Sequence, residues 1–417
     1  MCLRFREGEP EGICTTMTPN TKKQPSDIPK IIFIVNARMP NKKAYGIQIA
    51  QMCQAYVEAG SVRSDASNGA GVDLELVIPR THASSLASLK DAFKLRVDIP
   101  TTILPGLDWY SGGRMLFFIS SCVFICTSQL YLWWKKVRGV KALVYTVDMD
   151  TFSFVPLVLS GFPVVVEMHD QKPRNIFTRF FFKRAKLIIA TNTEIQRALA
   201  ERFGIPTDRM LIEPNGVDLN LFMHTPTRDE ARRALAIPQD QKIALYVGRF
   251  YEWKGLDILV DAAQQAPDMQ WYVVGDTRAV FERVAGRTDL PANLHIAGAC
   301  EPSDVPRWLA AADALLVLGT KRNEQSYRHT APMKVYEYMA ARRPIVASRT
   351  PALTSMIAAQ DAVWYEPDDA HSLALTAQSA VSAPDSAALD RAFVAAQSHS
   401  WKERVKRIIS KLQSDAL

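Results

Sequence analysis

The sequence predicts an α/β protein of two doubly wound parallel sheets facing a cleft, and three observations carry that reading. The 417 residues exceed what one ordinary core holds and suit two domains. Short apolar runs rich in β-branched residues alternate with segments of helical spacing, the pattern of parallel strands covered on both faces. Near Pro214-Asn215-Gly216 this series stops, a polar stretch follows over 223–241, and a second series begins.

Residues 1–29 are polar, carry Pro10, Pro19, Pro25 and Pro29, and lack an apolar stretch, so they read as a disordered leader and not a secretory signal. Order begins at Lys30 with the strand IIFIV (31–35). A polar loop leads to Tyr45-Gly46, then IQIAQMCQAYVEA places Ile49, Met52, Cys53 and Tyr56 on one helical face. The small, polar run 60–71 reads as a surface insertion before the strand LELVI (74–78). Further strands are expected at 142–147, 163–168 and 186–191. The second series comprises 243–248, 270–275, 293–298, 314–319 and 344–348, four of which end at glycine, where a backbone turns tightly and a phosphate can approach it. The last helix, about 401–412, is expected to gather Val405, Ile408, Ile409 and Leu412 on one side. The domains are accordingly 30–215 and 216–394, with 395–417 returning to the first.

Hydrophobic residues at 48% and charged ones at 22% exclude a fibrous or wholly disordered chain. A formal net charge of +7 favours anionic partners: nucleotides, phospholipid headgroups or nucleic acid. The basic residues are scattered and no recognition module appears, so nucleic acid is not expected as a partner. The six cysteines show no metal-ligand spacing and read as reduced thiols of a cytoplasmic protein. Residues 115–134 form an apolar run interrupted by Ser120, Ser121, Thr127, Ser128 and Gln129, with Lys135, Lys136, Arg138 and Lys141 behind it. It fits three readings: a span, a helix dipping into a membrane surface, or a buried core helix. With the aromatic and cationic run 177–186 it forms a candidate face for an anionic membrane, which would make the protein peripheral on the inner leaflet; the plain alternative is core aromatics with a solvated basic face.

Three local patterns carry candidate chemistry. Gly248-Arg249 followed by Lys254-Gly255, directly after a strand, brings backbone N–H groups and two long cations to one place, which suits a diphosphate leaving group; the plain alternative is a pair of solvated loop cations. Pro332-Met333-Lys334 lead into a helix whose first turn offers free N–H groups. Glu337, one turn inside, suits a ribose diol because a carboxylate only accepts; otherwise it is a solvent-facing helix residue. His169, in Glu167-Met168-His169-Asp170 at a strand's carboxyl end, can donate to a sugar hydroxyl or a phosphate; otherwise it is a structural histidine. Asp148-Met149-Asp150 has the lettering of a metal-binding DxD pair but follows an apolar strand, so no metal is expected, and no phosphate loop, GxSxG or HExxH is present.

Taken together, YVGRFYEWKGLDILVDA, WYVVGD, NLHIAG, AADALLVL, APMKVYEYMAARRPIVAS and VWYEPDD resemble the carboxyl-terminal domain of the family 4 glycosyltransferases. EPNGVDLNLF resembles that family's crossing between domains, HSWKERVKRII its returning helix, and AYGIQIAQM and EMHD more loosely its first domain. The resemblance implies a GT-B fold, a nucleotide-diphosphate-sugar donor bound mainly by the second domain, a glycan or lipid-linked acceptor bound by the first, no cofactor, no metal, and retention of anomeric configuration. On matching positions, Arg249 and Lys254 would grip the diphosphate and Glu337 the ribose, with the backbone of 332–334 and of Gly248 near phosphate and sugar. His169 would contact the transferred sugar or help its departure, and Gly46 would let the first-domain loop approach the donor. Front-face attack, with the leaving phosphate accepting the acceptor's proton, is the route the family implies. The family's first glutamate falls at 329, where this chain has His329, with Glu324 five residues away; Ser355 stands where many relatives are acidic, and Val147 and Met149 leave out an arginine often seen after that strand. A GT-B protein that binds without transferring, or a nucleotide-sugar epimerase, are the alternatives.

Overall fold

The computed structural model describes residues 30–64, 73–85 and 88–414. The leader 1–29 lies outside them, as does most of the expected insertion: the helix Ala44–Ser64 runs through its first residues. The first sheet holds seven strands, β1 (Lys30–Ile34), β2 (Leu74–Pro79), β3 (Thr101–Leu104), β4 (Ala142–Val147), β5 (Val164–Met168), β6 (Leu187–Ala190) and β7 (Met210–Ile212). Their order is 3-2-1-4-5-6-7, every pair parallel. The second holds six: β8 (Ile243–Val247), β9 (Gln270–Val274), β10 (Leu294–Gly298), β11 (Ala314–Val317), β12 (Ile345–Ser348) and β13 (Val363–Tyr365). Its order is 10-9-8-11-12-13, again parallel throughout.

The apolar runs are explained by burial on two faces. In β1, Ile31 and Phe33 enter one core while Ile32 and Ile34 enter the other. In β8, Ala244 and Tyr246 point to one side, and Ile243, Leu245 and Val247 to the opposite one. Strand order reverses between β1 and β4 and between β8 and β11, and a crevice opens outside the carboxyl ends at such points. The loops after β1, β4, β8 and β11 therefore line the cleft.

Three strands escape the periodicity argument: β3 is a half-exposed edge, and β7 and β13 are three residues long. The chain crosses to the second sheet at residues 213–217. The return begins later than the expected 395, because the helix Ser386–Ser398 buries Ala392 and Ala396 in the second domain. The strands meet at one bridge, with Val217 N–H donating to His399 O at 3.1 Å and Trp401 N–H to Val217 O at 3.3 Å. The helix Trp401–Ser414 then buries Trp401, Val405, Ile408, Ile409 and Leu412 in the first core, beside Met52 and Tyr56.

The apolar segment of the first domain is the helix Arg114–Val137, long and apolar enough by length and composition to cross a membrane. Its inward side packs on the first domain through Ser120, Ser121, Phe124, Ser128, Gln129 and Leu132.

Candidate functional site

On the second domain the site is built at the end of β8. Gly248 has φ +145°, a backbone conformation that favours glycine, and a Cβ there would stand 2.6 Å from Lys334 Nζ, the far end of a flexible side chain that would have to shift. Tyr246, one register step earlier, holds both neighbours. Its ring carries Lys334 Nζ 3.6 Å from the centroid, and its hydroxyl donates to Arg249 O at 3.4 Å. Arg249 itself is exposed and enters no ion pair among the described residues. Lys254 closes the turn Glu252–Lys254, half-buried, with Nζ 4.9 Å from the Trp253 ring centroid.

Neither lysine has a carboxylate within ion-pair distance among the described residues. Burial pushes Lys254 down to about 8. It pushes Lys334 well below its ordinary value, with repulsion from Lys254 adding to the effect and Glu337 opposing it. Glu337 is half-buried, raised by the same burial and partly offset by Lys334. The helix starts at Lys334 with Met333 as its uncapped first boundary, so Pro332 lies just outside the first turn rather than in it.

On the first domain, His169 follows β5. Its backbone N–H donates to Asp148 Oδ1 at 3.0 Å, and its Nε2 lies 3.0 Å from Glu167 Oε1. Glu167 is fully buried and collects Gln48 Nε2 at 2.8 Å, the Tyr145 hydroxyl at 2.6 Å and Arg404 Nη2 at 2.8 Å. Despite burial, Arg404 and the histidine bring its carboxyl down to about 2. A carboxylate there fixes the tautomer: Nε2–H donates to Glu167, and the neutral ring keeps Nδ1 as an acceptor. Asp148, read above against a metal role, is buried and paired with Lys172 Nζ at 2.8 Å. Asp150 is likewise engaged, accepting from Asn36 Nδ2 at 3.0 Å. Among the described residues no group of three or more His, Cys, Asp or Glu is placed to hold a metal.

The two halves meet at residues 328–331. His329 is 3% exposed, with Nδ1 3.3 Å from Asp170 Oδ1. Asn192 Nδ2 donates to Arg328 O and Thr330 O, Arg328 pairs with Glu194 at 2.8 Å, and Asn215 Nδ2 donates to Ala331 O at 2.8 Å. Met333 packs against the first-domain core. Gly46 is buried in the first turn of its helix, and a Cβ would stand 2.2 Å from Asn41 O, so its glycine is needed by the loop's own fold. The neighbouring Lys42 reaches Glu301 across the cleft at 2.7 Å.

Sequence reasoning named Glu167 and Asp170 beside His169 without giving either a role, and missed Asn192 and Arg404. The one available signal was a glutamate inside an apolar parallel strand, a position that requires a buried partner.

Comparison with known proteins agrees with this architecture. Residues 227–396 match the model of the glycosyl transferases group 1, and residues 126–221 that of glycosyltransferase family 4. The chain is 28% identical over 330 residues to the Bacillus subtilis protein named for teichuronic acid biosynthesis, the glycosyltransferase TuaC, covering 73% of this chain and 79% of that one. It is 28% identical over 193 residues to the D-inositol 3-phosphate glycosyltransferase of Thermomonospora curvata, a match spanning 42% of this chain and only 43% of that relative. Among solved structures, the sucrose-phosphate synthase of Thermosynechococcus elongatus superposes with a TM-score of 0.71 at 19% identity, over 92% of this chain and 98% of that one. Anabaena HepE in complex with UDP and glucose superposes at 0.66 and 18%, over 92% and 99%. The fold is GT-B, and the chain belongs to the family 4 glycosyltransferases.

Proposed function

We propose that this glycosyltransferase moves a hexose from a nucleoside-diphosphate sugar, with retention and with lysines in place of a metal, onto a glycan or lipid-linked acceptor. The observation that carries the donor half is the pair Lys254 and Lys334. Two ammonium groups are drawn partly out of water beside the glycine turn after β8, with no carboxylate paired to either. A diphosphate is the ligand whose charge and span relieve both. Arg249 extends from the same turn to the outer oxygens, and Glu337 accepts from the ribose hydroxyls. Positive charge already in place where the leaving phosphate gains charge is the arrangement that lowers the barrier.

HepE, which shares this fold and is solved in complex with UDP and glucose, makes UDP-glucose the first donor to test. In the transfer, the acceptor hydroxyl attacks the anomeric carbon from the face the phosphate leaves, and its proton passes to a departing phosphate oxygen. His169, held by Glu167, accepts from a sugar hydroxyl through Nδ1. Thermal-shift and transfer assays with UDP-, GDP-, ADP- and CMP-sugars test the proposal. One diphosphate should raise the melting temperature by mass action, and Lys254→Ala and Glu337→Ala should abolish the shift. Silence with every donor would overturn it.

A second reading is favoured by His329. It replaces the carboxylate expected there and is committed to Asp170 across the cleft. A binding protein that no longer transfers predicts nucleotide affinity without turnover in the same assays.

A further inference from the structure

The helix Arg114–Val137 turns a largely apolar side to the surface. Its buried side carries Phe124 and Leu132 but also Ser120, Ser121, Ser128 and Gln129, whereas its exposed side carries Met115, Phe118, Cys126, Leu130, Trp133 and Val137. Those outer positions follow one another at helical spacing with no charge among them, and Met115 is 76% and Val137 88% exposed. A helix meant for water shows the reverse arrangement.

The stripe does not stand alone. Trp133 Nε1 donates to Leu159 O at 3.3 Å, in the short helix Val155–Leu159, whose neighbour Phe154 packs on Phe181 at 4.8 Å. Phe181 lies in the helix Ile176–Arg184, which exposes Ile176 and Phe177. Three surface elements packed on one core thus each expose large apolar side chains, Leu159 among them.

Charge identifies what covers it. Residues 109–147 and 171–193 contain no Asp or Glu, while Lys and Arg recur in both. Lys136 and Arg138 follow the tryptophans directly, Arg138 lying 4.1 Å over the Trp134 ring. Arg174, Arg179 and Lys183 line a groove of about 630 Å³ at the other edge, floored by Phe182 and Phe203. Apolar stripe, then aromatic rings, then cations is the layering of a helix lying in a lipid–water interface.

We infer that this face of the first domain docks on an anionic phospholipid membrane, the helix Arg114–Val137 lying in its plane rather than crossing it. The inward side chains exclude a crossing in this fold, because they pack on the sheet. The face begins beside the cleft: Asn36, just after β1, donates through Nδ2 to Ser121 Oγ at 2.9 Å. The docked bilayer then borders the acceptor side, and the acceptor class that fits is a sugar or hydroxyl carried on a lipid. That last step rests on the proposed transfer reaction; the docking does not.

The test is flotation of the full chain with phosphatidylglycerol-containing vesicles and with pure phosphatidylcholine vesicles, alongside nucleotide thermal shift on the same samples. The chain should float with the anionic vesicles and at least about tenfold less with neutral ones, the difference shrinking as salt rises from about 0.1 M to about 1 M. Leu130→Glu with Trp133→Glu should abolish flotation while leaving the nucleotide shift intact. Arg179→Glu with Lys183→Glu, which leaves the apolar stripe intact, should weaken it on anionic vesicles alone. A chain that stays in solution with both lipids overturns the inference, whatever the nucleotide result. So does a chain that forms dimers which Leu130→Glu dissolves, since the face would then be covered by a second copy.

Discussion

In the proposed donor site, Lys254 is the side chain whose environment should make binding depend on pH. The ammonium, held down to about 8 by burial, is charged below that value and neutral above it. A diphosphate binds the charged form and raises its proton affinity in the complex. Affinity should therefore be flat from about pH 7 to about pH 8, where the nucleotide's own titration near 6 is complete, and then fall. The fall should approach tenfold per unit until the proton affinity of the complex is reached. Calorimetric titration of UDP across pH 7–10 measures this directly. Lys254→Ala should remove that lysine's component of the profile, leaving what Lys334 contributes, and weaken binding about tenfold to a hundredfold, the range of one charge-assisted hydrogen bond. The sign for folding is opposite. With its proton affinity lower in the folded state than in the unfolded chain, Lys254 opposes folding below about 8. The free protein should therefore gain stability as pH rises from about 8 toward the ordinary lysine range. Nucleotide should erase that gain, which differential scanning fluorimetry over the same pH range detects.

Among the elements, the returning helix Trp401–Ser414 contributes more than packing. Arg404 is wholly buried, and it binds Glu167 in β5 together with Pro214 O and Glu213 O in the crossover. One guanidinium thus joins the last helix, a central strand and the link between domains, and through Glu167 it sets the tautomer of His169. Arg404→Met leaves Glu167 buried without its counter-charge and should cost about 3–5 kcal/mol in urea unfolding. Adding Glu167→Gln should recover much of that loss. The wild type should lose stability as pH falls from about 4.5 toward 2, since Glu167 holds its proton less tightly when folded. The double variant should lack this component. The helix was legible in the sequence from Val405, Ile408, Ile409 and Leu412, because periodicity reports which side is buried. Arg404 was not, since it sits among cations that are mostly solvated and its partner lies 237 positions away. The same contrast divides the rest of the molecule. The long strands and the glycine turn at 248 were readable because burial and backbone geometry act locally. The short strands β3, β7 and β13 and the clamp on His329 were not, because they are defined by what packs against them from elsewhere in the chain.

At the scale of the whole molecule, two domains touch along two unlike seams. At the crossover the chain is tightly packed: a Cβ on Gly216 would stand 2.7 Å from the Trp401 ring, and the bridge between Val217 and Ser400 lies beside it. At the rim of the cleft the contacts are exposed, such as Lys42 with Glu301 at 2.7 Å and Lys94 Nζ with Ser303 Oγ at 3.1 Å. Exposed pairs of this kind contribute about 0–1 kcal/mol and cannot by themselves hold the cleft shut. Between the seams sits the clamp of Asp170, Asn192, Glu194 and Asn215 on residues 328–331, which leads straight into Met333 and Lys334. The backbone next to the proposed diphosphate site is thus registered against the first domain, so a motion that closes the cleft would also shape the site. Asn192→Ala removes both donors to that segment, and its effect should appear in geometry before chemistry. Solution scattering should show a larger radius of gyration in the free variant than in the free wild type, with the difference narrowing at saturating UDP-sugar. The donor KM should rise several-fold to about tenfold, as expected when the binding-competent closed state is less populated. A rise in KM with no change in shape would place Asn192 in local support of the donor loop instead. No change in either would remove the clamp from the closing motion and leave the crossover seam as its sole determinant.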